Sequence, residues 1–202
     1  MINQTEFVDN LKKRMNDSFN SKFYLESITC SYAIIENRTK RICEHLGKCT
    51  KNMNLSEKTE YIYNSIKNKD LENDKRNRKL ISFLKYRFQK IKLLNYDFVK
   101  EYKDLDKKSS DHQLLVFRLQ RNDIMHDMYS YDSNNPKLIN FEEDYAELAS
   151  MGIYVANELC RIASAMKAKK KTLKLAYINK KWYNELNIAW NSSNYPKMGM
   201  GP

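Results

Sequence analysis

The chain has 202 residues, 42% of them hydrophobic and 30% charged, and its formal net charge is +11. That length suits one domain with a buried core, and a hydrophobic share that includes 14 Tyr and 8 Phe excludes a disordered chain. Four Gly and three Pro leave too few turn formers for a sandwich or a glycine-bearing α/β fold, so an all-α fold is expected.

A short helix or two opens the chain. From Ile28, the positions Ile28, Tyr32, Ile35, Thr39, Ile42 and Leu46 recur at spacings of four and three, which predicts a long helix ending near Gly47. Another helix is expected from about Leu55 to Asn68. A second stripe, Leu80, Leu84, Phe88, Ile91, Asn95, Phe98 and Tyr102, predicts a helix with its basic residues mostly between the apolar ones. The aromatics of that stretch, Phe83, Tyr86, Phe88, Tyr96, Phe98 and Tyr102, read as core rather than as a base-stacking platform, because an amphipathic helix must bury one face. A further helix is expected from about Asp111 to Met128, capped by Ser109 or Ser110. The turn-forming cluster Ser130-Tyr131-Asp132-Ser133-Asn134-Asn135-Pro136 ends it. Asn140 and Glu143 read as a cap and capping box ahead of a long helix with the stripe Phe141, Tyr145, Leu148, Gly152, Val155, Leu159, Ile162 and Met166. Leu173 to Trp190 predicts a last helix. The domain expected is a single antiparallel helical bundle over residues 1–190 with N- and C-terminal helical extensions, followed by a flexible tail over 191–202.

The charge is unevenly placed. Between Lys75 and Lys103 ten Lys/Arg face two acids, and between Arg161 and Lys181 eight face none, so each stretch is net +8 and the remainder is net negative. Localised positive charge of this kind is the footprint of a polyanion, with RNA or DNA the default candidate and a solvated basic face the plainer alternative. Arg118, Lys167, Lys169, Lys170 and Lys171 are the candidate RNA-binding residues. The lysines close a helix, where cations also offset the macrodipole. No apolar run of about 18 residues is present to span a bilayer, and MINQTEFVDNLKKRM lacks the apolar core of a signal peptide, which predicts a cytoplasmic protein without membrane contact. Cys30, Cys43, Cys49 and Cys160 are then expected to be reduced. Cys43, His45 and Cys49 match no common zinc spacing, so neither a metal nor a cofactor is expected.

The hexapeptide Arg121-Asn122-Asp123-Ile124-Met125-His126 carries the chemistry. It sets a permanent cation and an imidazole five positions apart in a helical run, a pair suited to clamping a phosphodiester and moving its protons. At about 100° per residue the two side chains lie roughly 140° apart around the helix, whereas Asn122 and His126 share a face. The alternative is structural: Arg121 paired with an acid such as Asp123 or one on a neighbouring helix, and His126 an ordinary surface or core residue.

This Arg-x4-His pattern, with Asn after the Arg, resembles the signature of the HEPN superfamily, small all-helical proteins that include metal-independent ribonucleases of toxin and phage-defence systems. The resemblance spans about Phe23 to Lys170 in helix order, and the hexapeptide alone carries it residue by residue. It implies a HEPN-type bundle with flanking helices, a homodimer whose two copies of the motif form one composite site, and Arg121, Asn122 and His126 as catalytic residues. It also implies an antitoxin or defence-system partner. Some HEPN toxins bear a modifiable Tyr two residues after the His; here that position is Met128, so that mode of silencing is not expected. Two other readings stand beside it. One is a HEPN-like protein that holds RNA, nucleotide or a partner without cleaving, and the other is a basic DNA-binding regulator, disfavoured by the lack of a short helix-turn-helix.

Overall fold

The computed structural model describes residues 4–75, 77–90, 92, 113–129 and 143–168. Every regular element among them is helical: α1 (Gln4–Asn20), α2 (Tyr24–His45), α3 (Leu55–Lys67), α4 (Lys69–Asn73), α5 (Arg78–Lys90), α6 (Gln113–Tyr129) and α7 (Glu143–Ala168). The all-α expectation holds for these residues. The expectations at 91, 93–112, 130–142 and 169–202 lie outside the described residues: Ile91, Asn95, Phe98 and Tyr102 of the second stripe, both serine caps, the 130–136 break, Asn140 and Phe141, the last helix and the tail.

Helix α2 is the centre of the bundle. It packs along α7 on one side and α1 on another, and also touches α3, while α6 lies on α7 and α5 rests on α3 and α4. The reason lies in its sequence: Ile28, Ile35, Ile42 and Leu46 of the predicted stripe are buried, and so are Ile34 and Cys43 beside it. An apolar arc this broad must be covered by more than one neighbour. Thr39 fits among the isoleucines because its hydroxyl donates to the Ile35 carbonyl at 2.7 Å.

Local chemistry sets the ends. At Gly47, φ is 78°, and the amides of Gly47 and Lys48 donate to the Glu44 and Cys43 carbonyls at 3.0 and 2.9 Å. This is the left-handed Schellman closure that glycine favours. The α1–α2 turn repeats it with a lysine: Lys22 has φ 62°, and the Lys22 and Phe23 amides donate to Phe19 and Ser18 at 3.0 and 2.8 Å. The tight turn folds α1 back on α2, fastened by Ser27 Oγ donating to the Met15 carbonyl at 2.9 Å and an Arg14–Glu26 pair at 2.5 Å. Helix α3 starts at a capping box, with Glu57 N–H donating to Asn54 Oδ1 at 3.0 Å and Asn54 N–H to Glu57 Oε2 at 2.7 Å.

Val8 and Met15, the α2 isoleucines, Ile62 and Ile66, Leu84 and Phe88, Leu114 and Phe117, and Val155, Leu159 and Ile162 form one continuous core. The second stripe is confirmed for Leu80, Leu84 and Phe88, which are buried. Tyr86 departs from the core reading at 55% exposure, because it lies on the face of α5 opposite Leu84 and Phe88.

Candidate functional site

Helix α6 begins as an internal helix. Leu114, Leu115, Val116 and Phe117 are consecutive and all buried, so this turn is covered on every side. Phe117 sets its depth. A Cβ on Gly152 of α7 would come within 2.6 Å of the Phe117 ring and 3.0 Å of Ser31 Cβ on α2, so the absence of a side chain at residue 152 makes room for the ring where α2, α6 and α7 meet. From Arg118 onward the helix is only partly covered.

Arg121 lies one turn after Phe117 and on the same side of α6. Its guanidinium carbon sits 4.4 Å from the centroid of the Tyr32 ring on α2. Its Nη1 donates to Asn122 Oδ1 at 3.2 Å. The side chain is half-buried, and among the described residues no carboxylate pairs with it. The expected alternative of an Arg121 neutralised by Asp123 or another described acid is therefore not what the fold builds.

Tyr32 is the meeting point of the local charges. Its phenol is pushed above its ordinary range by burial first and by the Glu36 carboxylate next, while Arg121 and Arg118 pull the other way. Glu36, one turn along α2, is engaged elsewhere: its Oε1 accepts from Nζ of Lys58 on α3. Lys58 is only 4% exposed, so this pair draws the carboxylate toward the α2–α3 seam. The thiol of Cys43 donates to the Lys58 carbonyl at 3.5 Å in the same seam.

The predicted site residues thus separate into groups. Arg121 and Asn122 are in contact, and Arg118 is half-buried close enough to Tyr32 to act on its titration. His126 is exposed, turned from the stripe that holds Phe117 and Arg121 against the bundle. Lys167 is exposed in the last turn of α7, and Lys169, Lys170 and Lys171 lie outside the described residues. Cys43 is buried, Cys49 and His45 are half-buried, and among the described residues no group of three or more His, Cys, Asp or Glu is placed to hold a metal. No described helix is long and apolar enough to cross a membrane.

Sequence reasoning missed Tyr32, Glu36 and Lys58. Tyr32 was placed in the core stripe of α2, and its role as a seat for a cation follows only from the tertiary placement of α6. A buried lysine gives no signal in sequence, since lysines are rarely buried unless paired.

No protein-family model matches the chain, and no curated protein or solved structure matches it either.

Proposed function

We propose that this protein is a metal-independent RNA endonuclease of the HEPN type, acting as a toxin or phage-defence effector in the cytoplasm. One observation carries the reading: a half-buried guanidinium, Arg121, is fixed by a ring and an amide with no described carboxylate to neutralise it, on the same helix as the exposed His126. A structural arginine is ordinarily paired with an acid when buried. An arginine that no described carboxylate compensates suits an anion that arrives from outside, and a phosphodiester meets that need bidentately.

In the proposed reaction an RNA 2′-hydroxyl attacks the adjacent phosphorus, leaving a 2′,3′-cyclic phosphate and a 5′-hydroxyl. His126 acts as general base or general acid, and in a homodimer each role has its own imidazole. Arg121 offsets the charge that grows on the non-bridging oxygens, worth on the order of 3 kcal/mol. Asn122, bonded to Arg121 and sharing a helix face with His126, orients the pair. Arg118, Lys167, Lys169, Lys170 and Lys171 hold the RNA backbone by charge, which makes affinity salt-dependent. An antitoxin or defence-system protein restrains the enzyme. DNA lacks the nucleophile and is not cut.

The divergence of Arg121 and His126 within one chain favours a second reading, a HEPN-like protein that binds RNA or nucleotide without cleaving it. Labelled RNA incubated in EDTA with the wild type, Arg121→Ala and His126→Ala separates the two. Cleavage by the wild type alone supports the nuclease. Wild-type rates in both variants would refute the site, and an inert wild type that still binds RNA selects the second reading.

A further inference from the structure

We propose that Tyr32 is a positioning residue that grips the Arg121 guanidinium by its face, so that charge and in-plane donors stay available to an RNA phosphate. This rests on the ribonuclease reading of α6. All the N–H donors of a guanidinium lie in its plane, and a carboxylate partner takes two of them while cancelling the charge. An aromatic ring attracts the cation through its π face instead, and takes neither. The Arg121 guanidinium carbon lies over the Tyr32 ring at 4.4 Å, a distance that suits that arrangement, and among the described residues its hydrogen bond goes to the neutral amide of Asn122.

The surroundings keep the seat neutral. The nearby acid on α2, Glu36, pairs through Oε1 with Lys58, a lysine buried on α3, which offsets its charge, although that charge still reaches Tyr32. Burial and Glu36 both hold Tyr32 in its phenol form, so it adds no negative charge beneath the arginine. The ring itself is anchored on α2, the helix along which α1 and α7 pack, and α6 is set against α7 through Phe117 at Gly152, beside Ser31 of α2. Tyr32 thereby ties the reactive cation to the rigid part of the fold.

The test compares Tyr32→Phe, Tyr32→Leu, Arg121→Ala and the Tyr32→Leu/Arg121→Ala double variant in single-turnover cleavage of labelled RNA, with melting temperatures measured alongside. Tyr32→Phe keeps the ring and is expected to cleave within about twofold of wild type, whereas Tyr32→Leu is expected to be about tenfold slower. The double variant is expected to be no slower than Arg121→Ala, because Tyr32 acts through Arg121. A Tyr32→Leu protein as fast as wild type, or a double variant clearly slower than Arg121→Ala, overturns the proposal. Should Tyr32→Leu melt early, Tyr32→Met takes its place with the same expectations. If the wild type does not cleave, the nuclease reading falls and the decision passes to binding of an uncleavable 2′-O-methyl RNA. Equal weakening by Tyr32→Leu and Arg121→Ala upholds the positioning role, and wild-type binding by Tyr32→Leu overturns it.

Discussion

Replacing Gly152 by alanine is expected to destabilise the protein, although in an exposed helix the same change stabilises by about 1 kcal/mol. The new Cβ would lie 2.6 Å from Phe117 Cε2, 3.0 Å from Phe117 Cζ and 3.0 Å from Ser31 Cβ. Carbon atoms pack best at about 3.5 to 4.0 Å, so one contact is short by about 1 Å. The Phe117 ring is fully buried and has no solvent to swing into. Forcing an extra methyl group into such a core costs about 1 to 3 kcal/mol, which leaves a net loss of about 1 kcal/mol after the gain in helix propensity. In a chain of this size that lowers the melting temperature by about 2 to 4 °C. The decisive comparison is a double-mutant cycle with Phe117→Leu, read by urea denaturation and far-UV circular dichroism. Leucine lacks the ring atoms that meet the Cβ, while the 3.0 Å approach to Ser31 Cβ remains, so in that background Gly152→Ala is expected to be less destabilising by about 1 kcal/mol. An equal effect in both backgrounds would refute the account of how α6 is seated.

Lys22 holds a left-handed φ of 62°, so Lys22→Gly is expected to stabilise the α1–α2 turn by about 0.5 to 1 kcal/mol in thermal melts. No gain would show that the turn relieves its strain another way. Asn54→Ala removes the capping-box acceptor of α3 and is expected to cost about 1 kcal/mol in the same assay. Burial holds the His45 imidazole below its ordinary value of 6.5, so the unfolded chain takes up a proton first as pH falls. The stability contributed by a neutral His45 is therefore complete above pH 6.5 and declines below it, and urea midpoints measured across that range are expected to flatten in His45→Gln. Cys43 is fully buried and its thiol is pushed up to about 12, so a thiol reagent at neutral pH is expected to modify half-buried Cys49 long before Cys43. Equal rates, read by mass spectrometry of digested protein, would contradict the packing of the α2–α3 seam.

What the sequence made legible is what helical periodicity encodes. Ile28, Ile35 and Ile42 could be read as one buried stripe because a period near 3.6 leaves few alternatives, and Gly47 marked the end of α2 because its left-handed φ suits glycine. Helix α6 was recognised by its apolar density but not by a face, since Leu114 through Phe117 are buried on all sides and leave no polar stripe to phase against. Its described part begins at Gln113, and the expected start at Asp111 lies outside the described residues. The Arg121–Tyr32 stack was out of reach, because it depends on which helix α6 meets and at what depth, and a small residue on a third helix, Gly152, decides that.

Helix geometry and the Tyr32 stack together constrain any reaction at the hexapeptide. Five residues separate Arg121 from His126 by about 7.5 Å along the axis and roughly 140° around it. Bringing both to one phosphate within one chain requires Arg121 to leave the Tyr32 ring and reach around α6 toward Asn122 and His126. The contact with Asn122 already draws it part of that way, yet full transfer would forfeit the cation–π attraction, about 0.5 to 2 kcal/mol, and half-expose the ring beneath. In the proposed homodimer, a second copy across a two-fold axis would remove that conflict. Each chain then keeps its arginine seated on its own Tyr32 while its exposed histidine reaches the phosphate held by the other. The stack and the composite site are in this sense one proposal: the firmer the hold of Tyr32 on Arg121, the more the chemistry depends on a partner's histidine.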